Sequence, residues 1–173
     1  FLKYCVEKDY AKEMTLEYNT NLTNIQPRAL ELWLNFKQVQ FGISMDGIGP
    51  TLEYIRNPLK TKLMEKNLAK LDEVGLEKLN FRAWIAFTIG AMNAFHFTDF
   101  LKWKIEQDFA IISPMLKNNP KPFINVHPIH RPFELSTRFL PKDVKDQVRD
   151  KWEAFRTEFK TDIVNNINFI FFI

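Results

Sequence analysis

Val39-Gln-Phe-Gly-Ile-Ser-Met-Asp-Gly-Ile-Gly-Pro-Thr-Leu-Glu-Tyr-Ile-Arg-Asn-Pro58 contains one whole passage from strand to helix. Val39 to Met45 reads as a strand, Asp46-Gly47 closes it, and Gly49-Pro50 opens a helical stretch through Tyr54 and Ile55 to Asn57-Pro58. The pattern repeats in both directions. Upstream, Leu2, Cys5 and Val6 mark one face of a short helix, and Met14 to Tyr18 reads as a strand stopped by Asn19-Thr20-Asn21. Pro27 then takes a first helical position, and Ala29, Leu30, Leu32, Trp33 and Phe36 give the helix about three turns of apolar face.

Downstream, Leu63, Leu68 and Leu71 predict a helix within Lys60 to Val74, which Gly75 is placed to end in a left-handed conformation. Phe81 to Thr88 is the third strand, followed by an aromatic helix from about Phe95 to Phe109 and a loop, Ser113 to Pro122. Phe123 to Val126 is the fourth strand, and Pro141 opens a charged helix reaching about Ile163. Strands separated by helices call for parallel pairing, because a parallel crossover needs a dozen or more residues. The class is α/β. Polar residues gather where strands end, at Asn19-Thr20-Asn21, Ser44 to Asp46, Asn93 and His127 to His130, so function is expected along one edge.

With 173 residues, 46% of them hydrophobic and 26% charged, the chain is long enough for one sizeable core. A net charge of +3 without a basic block does not indicate a nucleic-acid partner. No apolar run has the length of a membrane span, and the N-terminus lacks the layout of a signal peptide, so a cytoplasmic location and no membrane contact are expected. One cysteine, Cys5, excludes an intramolecular disulfide and any site built from several thiolates of this chain. The start at Phe1 and the apolar end, Asn168 to Ile173, read as cuts in a larger fold.

Ser44 and Asp46 are two apart, so they share a strand face at its C-terminal end, and Arg56 follows in the next helical turn. Serine can bond a sugar hydroxyl, and arginine offers a planar fork to a carboxylate. The plainer reading makes Ser44 and Asp46 turn formers and Arg56 a solvated or ion-paired residue.

Glu17-Tyr-Asn-Thr-Asn-Leu22, Gly42-Ile-Ser-Met-Asp-Gly47 and Tyr54-Ile-Arg56, in this order and spacing, resemble radical S-adenosylmethionine proteins, most closely the twitch domain-containing group. The resemblance runs from Phe1 to about Leu140, including Leu63 to Leu71, the strand ending near Thr88 with Asn93, and Arg131-Pro-Phe. It implies a portion of a parallel (β/α)6 partial TIM barrel, from the third strand onward over residues 1–140, with outer helices. Residues 141–173 then add a C-terminal helix and apolar tail to the same structural unit.

The implied cofactors are S-adenosylmethionine and a [4Fe–4S] cluster, which together yield a 5′-deoxyadenosyl radical for substrate modification. A reductant for the cluster is an implied partner, and the substrate, peptide or small molecule, stays open. Carried over by position, Ser44 would meet the ribose and Arg56 the methionyl carboxylate, with Asn19, Asn21 and Asp46 at the same strand ends. Asn93 and the backbone from Phe133 to Leu135 would line the adenine side. The CxxxCxxC and Gly-Gly-Glu-Pro motifs of the family are absent here, Cys5 cannot replace them, and the chain alone is expected to be inactive. The alternative is a non-catalytic α/β binding module keeping a nucleotide-shaped groove, which would be monodisperse and unfold cooperatively where a cut barrel would aggregate.

Other residues read more plainly. Cys5 packs on an apolar face. His127 and His130 would point to opposite faces of a strand with no third ligand near in sequence, so no metal is assigned. His96 reads as a cap or surface residue, with nothing nearby to fix its tautomer. The stripe Val144, Val148, Trp152, Phe155 and Phe159 of the charged helix has to dock on something.

Overall fold

The computed structural model describes residues 1–78, 80–107, 109–112 and 124–159. Four strands, β1 (Thr15–Thr20), β2 (Gln38–Ser44), β3 (Phe81–Ile89) and β4 (Asn125–Pro128), form one parallel sheet in the order β1-β2-β3-β4. Helix α1 (Leu2–Glu7) precedes the sheet, α2 (Pro27–Trp33) joins β1 to β2, and α3 (Gly49–Ile55) with α4 (Thr61–Lys78) joins β2 to β3. Helix α5 (Phe97–Gln107) follows β3, and α6 (Lys142–Glu158) follows β4. The α/β class and the parallel strands agree with the sequence pattern. The six strands of a complete (β/α)6 sheet are not present among the described residues.

With each strand laid beside its predecessor, right-handed crossovers bring successive helices to the same face of the sheet. Burial follows that rule. Val39, Phe41 and Ile43 of β2 and Phe81, Ala83, Ile85, Phe87 and Ile89 of β3 are all buried. Trp33 of α2 meets Phe41 edge-on at 5.1 Å, and Phe97 and Phe100 of α5 each lie 4.8 Å from Phe87. The alternate positions, Glu17, Asn19, Gln40, Ser44, Arg82, Trp84, Ala86 and Thr88, are half-buried or exposed. One side of the sheet is therefore core, and the other is open and largely polar.

Helix α6 docks on α5 as its apolar stripe requires. Val148, Trp152 and Phe155 are buried, Trp152 stacks on Phe97 at 6.2 Å, and Lys151 pairs with Asp99 at 2.6 Å. Asp72 of α4 accepts the N–H groups of Ala110 (2.9 Å), Ile111 (2.9 Å) and Ile112 (3.2 Å), fixing the segment that bridges to Ala83.

Several local expectations change. Gly75 lies inside α4 and caps nothing; a Cβ there would run into the Ile111 side chain and come within 3.3 Å of Phe81 Cβ, so close approach explains the glycine. Helix α2 ends at Trp33 because the Asn35 and Phe36 N–H groups tighten to carbonyls three residues back. Residues 91–96 form turns, so α5 starts at Phe97. The fourth strand spans Asn125–Pro128, leaving His130 beyond it; Phe123, the loop Ser113 to Pro122 and the last turns expected of the charged helix lie outside the described residues. No helix among the described residues is long and apolar enough to cross a membrane.

Candidate functional site

The C-terminal ends of β2 and β3 are tied together by one buried carboxylate. Strand β2 ends at Ser44, Met45 N–H still bonds Ala86 O at 3.0 Å, and Asp46 then turns inward to 5% exposure. Its Oδ1 accepts the Thr88 N–H at 2.7 Å. Its Oδ2 accepts from Arg56 Nε at 2.8 Å and lies 2.7 Å from Arg56 Nη2 in the same ion pair. Gly49 (φ +55°) supplies a left-handed step at the first residue of α3, which returns Arg56 to Asp46 at its C-terminal cap. One charge-assisted bond, the ion pair and a backbone donor offset the cost of burying the carboxylate.

Asn93 completes the stitching. Its Nδ2 donates to Asp46 O (3.0 Å) and Thr88 O (2.9 Å), while Oδ1 accepts the Gly90 N–H (2.8 Å). The expectation that Ser44 and Asp46 share a strand face is corrected, because pairing stops at Ser44 and Asp46 swings toward the end of β3. Of the two plainer readings of Arg56, the ion-paired one describes what the structure shows.

Beside this pair lies a cleft of about 470 Å³, lined by Asn21, Thr23, Ile55, Arg56, Asn57, Pro58, Leu59 and Leu63. Its near wall is the loop after β1, where Leu22 holds φ +50°. That strained backbone is secured from three directions: Leu22 N–H bonds Thr20 Oγ1 (3.0 Å), Leu22 O accepts from Asn67 of α4 (2.7 Å), and the Leu22 side chain is buried. Thr20 is in register with Ile43, so Asn21 comes level with Ser44. Arg56 is a quarter exposed, and its Nη1 makes no hydrogen bond among the described residues. A guanidinium nitrogen beside amide and hydroxyl groups, against an apolar wall, suits a small molecule with a carboxylate or phosphate.

The remaining sequence candidates do not line this cleft. Ser44 is half-buried on the open sheet face, and Asn19 is exposed there, its Oδ1 over Gly42, where a Cβ would come within 2.6 Å. Leu135 is half-buried, and its carbonyl accepts the Ala91 N–H at 2.7 Å. Asn93 is buried with its amide engaged by backbone groups. Cys5 is buried on α1, which leads toward the opposite edge of the sheet: Ala11 O, just beyond α1, accepts from Lys37, the residue before β2. His127 and His130 are exposed, and no group of three metal-ligating side chains occurs among the described residues.

Thr23 and Asn57 of the cleft carry no signal in the sequence beyond their loop positions. His96 differs from its sequence reading: Ile48 N–H donates to Nε2 at 3.1 Å, so Nε2 is bare and the Nδ1–H tautomer is assigned. Burial pushes the His96 imidazole below its ordinary value, with the Asp99 charge acting in the opposite sense.

No protein-family model matches the chain, and a search of curated proteins finds no match.

Proposed function

We propose that this chain is the S-adenosylmethionine-holding portion of a radical S-adenosylmethionine barrel. The observation that carries the reading is the buried Asp46 carboxylate orienting Arg56 at a cleft on the strands' C-terminal edge. The sequential parallel strands, with helices on one face and an open polar face opposite, support it as a barrel-type arrangement. In this reading Arg56 holds the methionyl carboxylate through Nη1, while Asp46 is a positioning residue that sets the guanidinium plane. Asn21 and Asn19 supply amide groups beside the amino acid, and Ser44 meets the ribose. Asn93, through the ends of β2 and β3, and the Leu135 backbone shape the adenine side.

The [4Fe–4S] cluster does not fit the residues present. It requires several thiolates, and the chain has one cysteine, buried on a helix that leads toward the opposite edge of the sheet. The contribution of these residues is therefore to bind and orient the sulfonium ligand, and no redox step is assigned to them.

Calorimetric titration with S-adenosylmethionine tests this. Binding with one site per chain is expected. Arg56→Lys, which keeps a cation for Asp46 but loses the fork, should weaken it by about tenfold or more. Ser44→Ala should weaken it by a few-fold, about the worth of one neutral hydrogen bond. No binding, or equal affinity in Arg56→Lys, would contradict the assignment.

A further inference from the structure

Two side chains of the β3–α5 connection grip the Asp46–Ile48 segment. Asn93 donates to the Asp46 carbonyl, and His96 Nε2 accepts the Ile48 N–H at 3.1 Å. The imidazole reaches the turn because position 47 is glycine: a Cβ there would sit 3.1 Å from Cδ2 and 3.4 Å from Nε2 of His96. Helix α3 starts immediately after Ile48 and ends by returning Arg56 to Asp46. The His96 bond, α3 and the ion pair therefore belong to one closed circuit of contacts.

We propose that His96 is a positioning residue of the ligand edge, its neutral Nδ1–H ring holding the Ile48 N–H and so the start of the helix that presents Arg56. The hold on the turn stands on geometry alone; its effect on ligand affinity rests on the function proposed above. Protonation at Nε2 would set one N–H against another and release the turn. The charged groups on the far side of the ring are Asp99 of α5, 3.6 Å from Nδ1, and Lys151 of α6, which pairs with Asp99 at 2.6 Å. On the turn side Asp46 and Arg56 neutralise each other. Lys151 thus offsets the carboxylate that would favour a cationic imidazole, and burial acts with it. The sign is fixed by the lowered folded value: the hold is complete above the ordinary 6.5 and is lost as pH falls through the lower folded value.

Long-range proton–nitrogen spectra of the full chain at about pH 8 should show Nδ1 protonated and Nε2 bare. On acidification, the Ile48 amide and Arg56 Nε–H signals should move with the midpoint of the His96 titration. His96→Gln, whose Oε1 can accept the same N–H, should keep both signals near their neutral positions and abolish that titration. His96→Ala should lower hydrogen-exchange protection at Ile48 by about threefold to tenfold. The opposite tautomer, or Ile48 and Arg56 signals that ignore the His96 midpoint, would overturn the proposal. In parallel titrations, S-adenosylmethionine affinity should fall with the same midpoint. Affinity that stays flat while Ile48 moves would overturn the link to Arg56, whereas no binding at any pH would overturn the functional reading and leave the turn to be judged by the spectra.

Discussion

Replacing Asp46 by alanine is expected to remove about 3 kcal/mol of folding stability, measured by denaturant unfolding. The side chain is 6% exposed, accepts one hydrogen bond from Arg56 Nε and one from the Thr88 backbone, and is ion-paired with Arg56 Nη2 at 2.7 Å. Alanine leaves the guanidinium without its counter-ion and the Thr88 N–H without an acceptor. Arg56 is 25% exposed, so water reaches part of the stranded cation, and the loss falls at the lower end for broken buried pairs. Asp46→Asn separates the contributions, because an amide oxygen can still take the Thr88 N–H; about half the loss is expected. A loss below about 1 kcal/mol in Asp46→Ala would show that the pair behaves as an exposed one.

Gly90→Ala is expected to cost about 2 kcal/mol, although its backbone φ lies outside the left-handed range that favours glycine. At an uncrowded position of this kind the added methyl would stabilise, by about 0.4–1 kcal/mol, through the unfolded chain. Here a Cβ would lie 2.7 Å from Leu135 O and 2.6 Å from Ile129 Cδ1. Ile129 can rotate away, but Leu135 O is held by the Ala91 N–H at 2.7 Å and cannot retreat without losing that bond. The clash therefore sets the sign. Thermal unfolding reads it directly, and a neutral or stabilising result would mean that the 133–135 turn moves freely.

Strand count and parallel direction were legible because each element carries its own local mark and the helices between strands call for parallel crossovers. Pro27 opens α2, Pro50 stands in the first turn of α3, and apolar residues alternate along β3. Gly75 was misread because a helical glycine against a packed neighbour looks in sequence like one that ends a helix; only the Ile111 contact, 36 residues away, tells them apart. Arg56 was identifiable as a candidate from residue type and motif spacing. Its orientation by Asp46 depends on the path of α3, and the Asp46 bond to Thr88 across 42 residues comes from strand register that no local pattern encodes. The His96 contact to Ile48 spans 48 residues and had no local signal other than Gly47, whose missing side chain admits the ring.

The most direct test of ligand binding at this edge is amide chemical-shift mapping of the chain titrated with S-adenosylmethionine. Saturable shifts are expected at Asn21, Thr23, Ser44, Arg56 and Asn57, with Cys5, Ala11 and Lys37 at the opposite edge unmoved. Shifts confined to the opposite edge, or none at saturating ligand, would contradict the account.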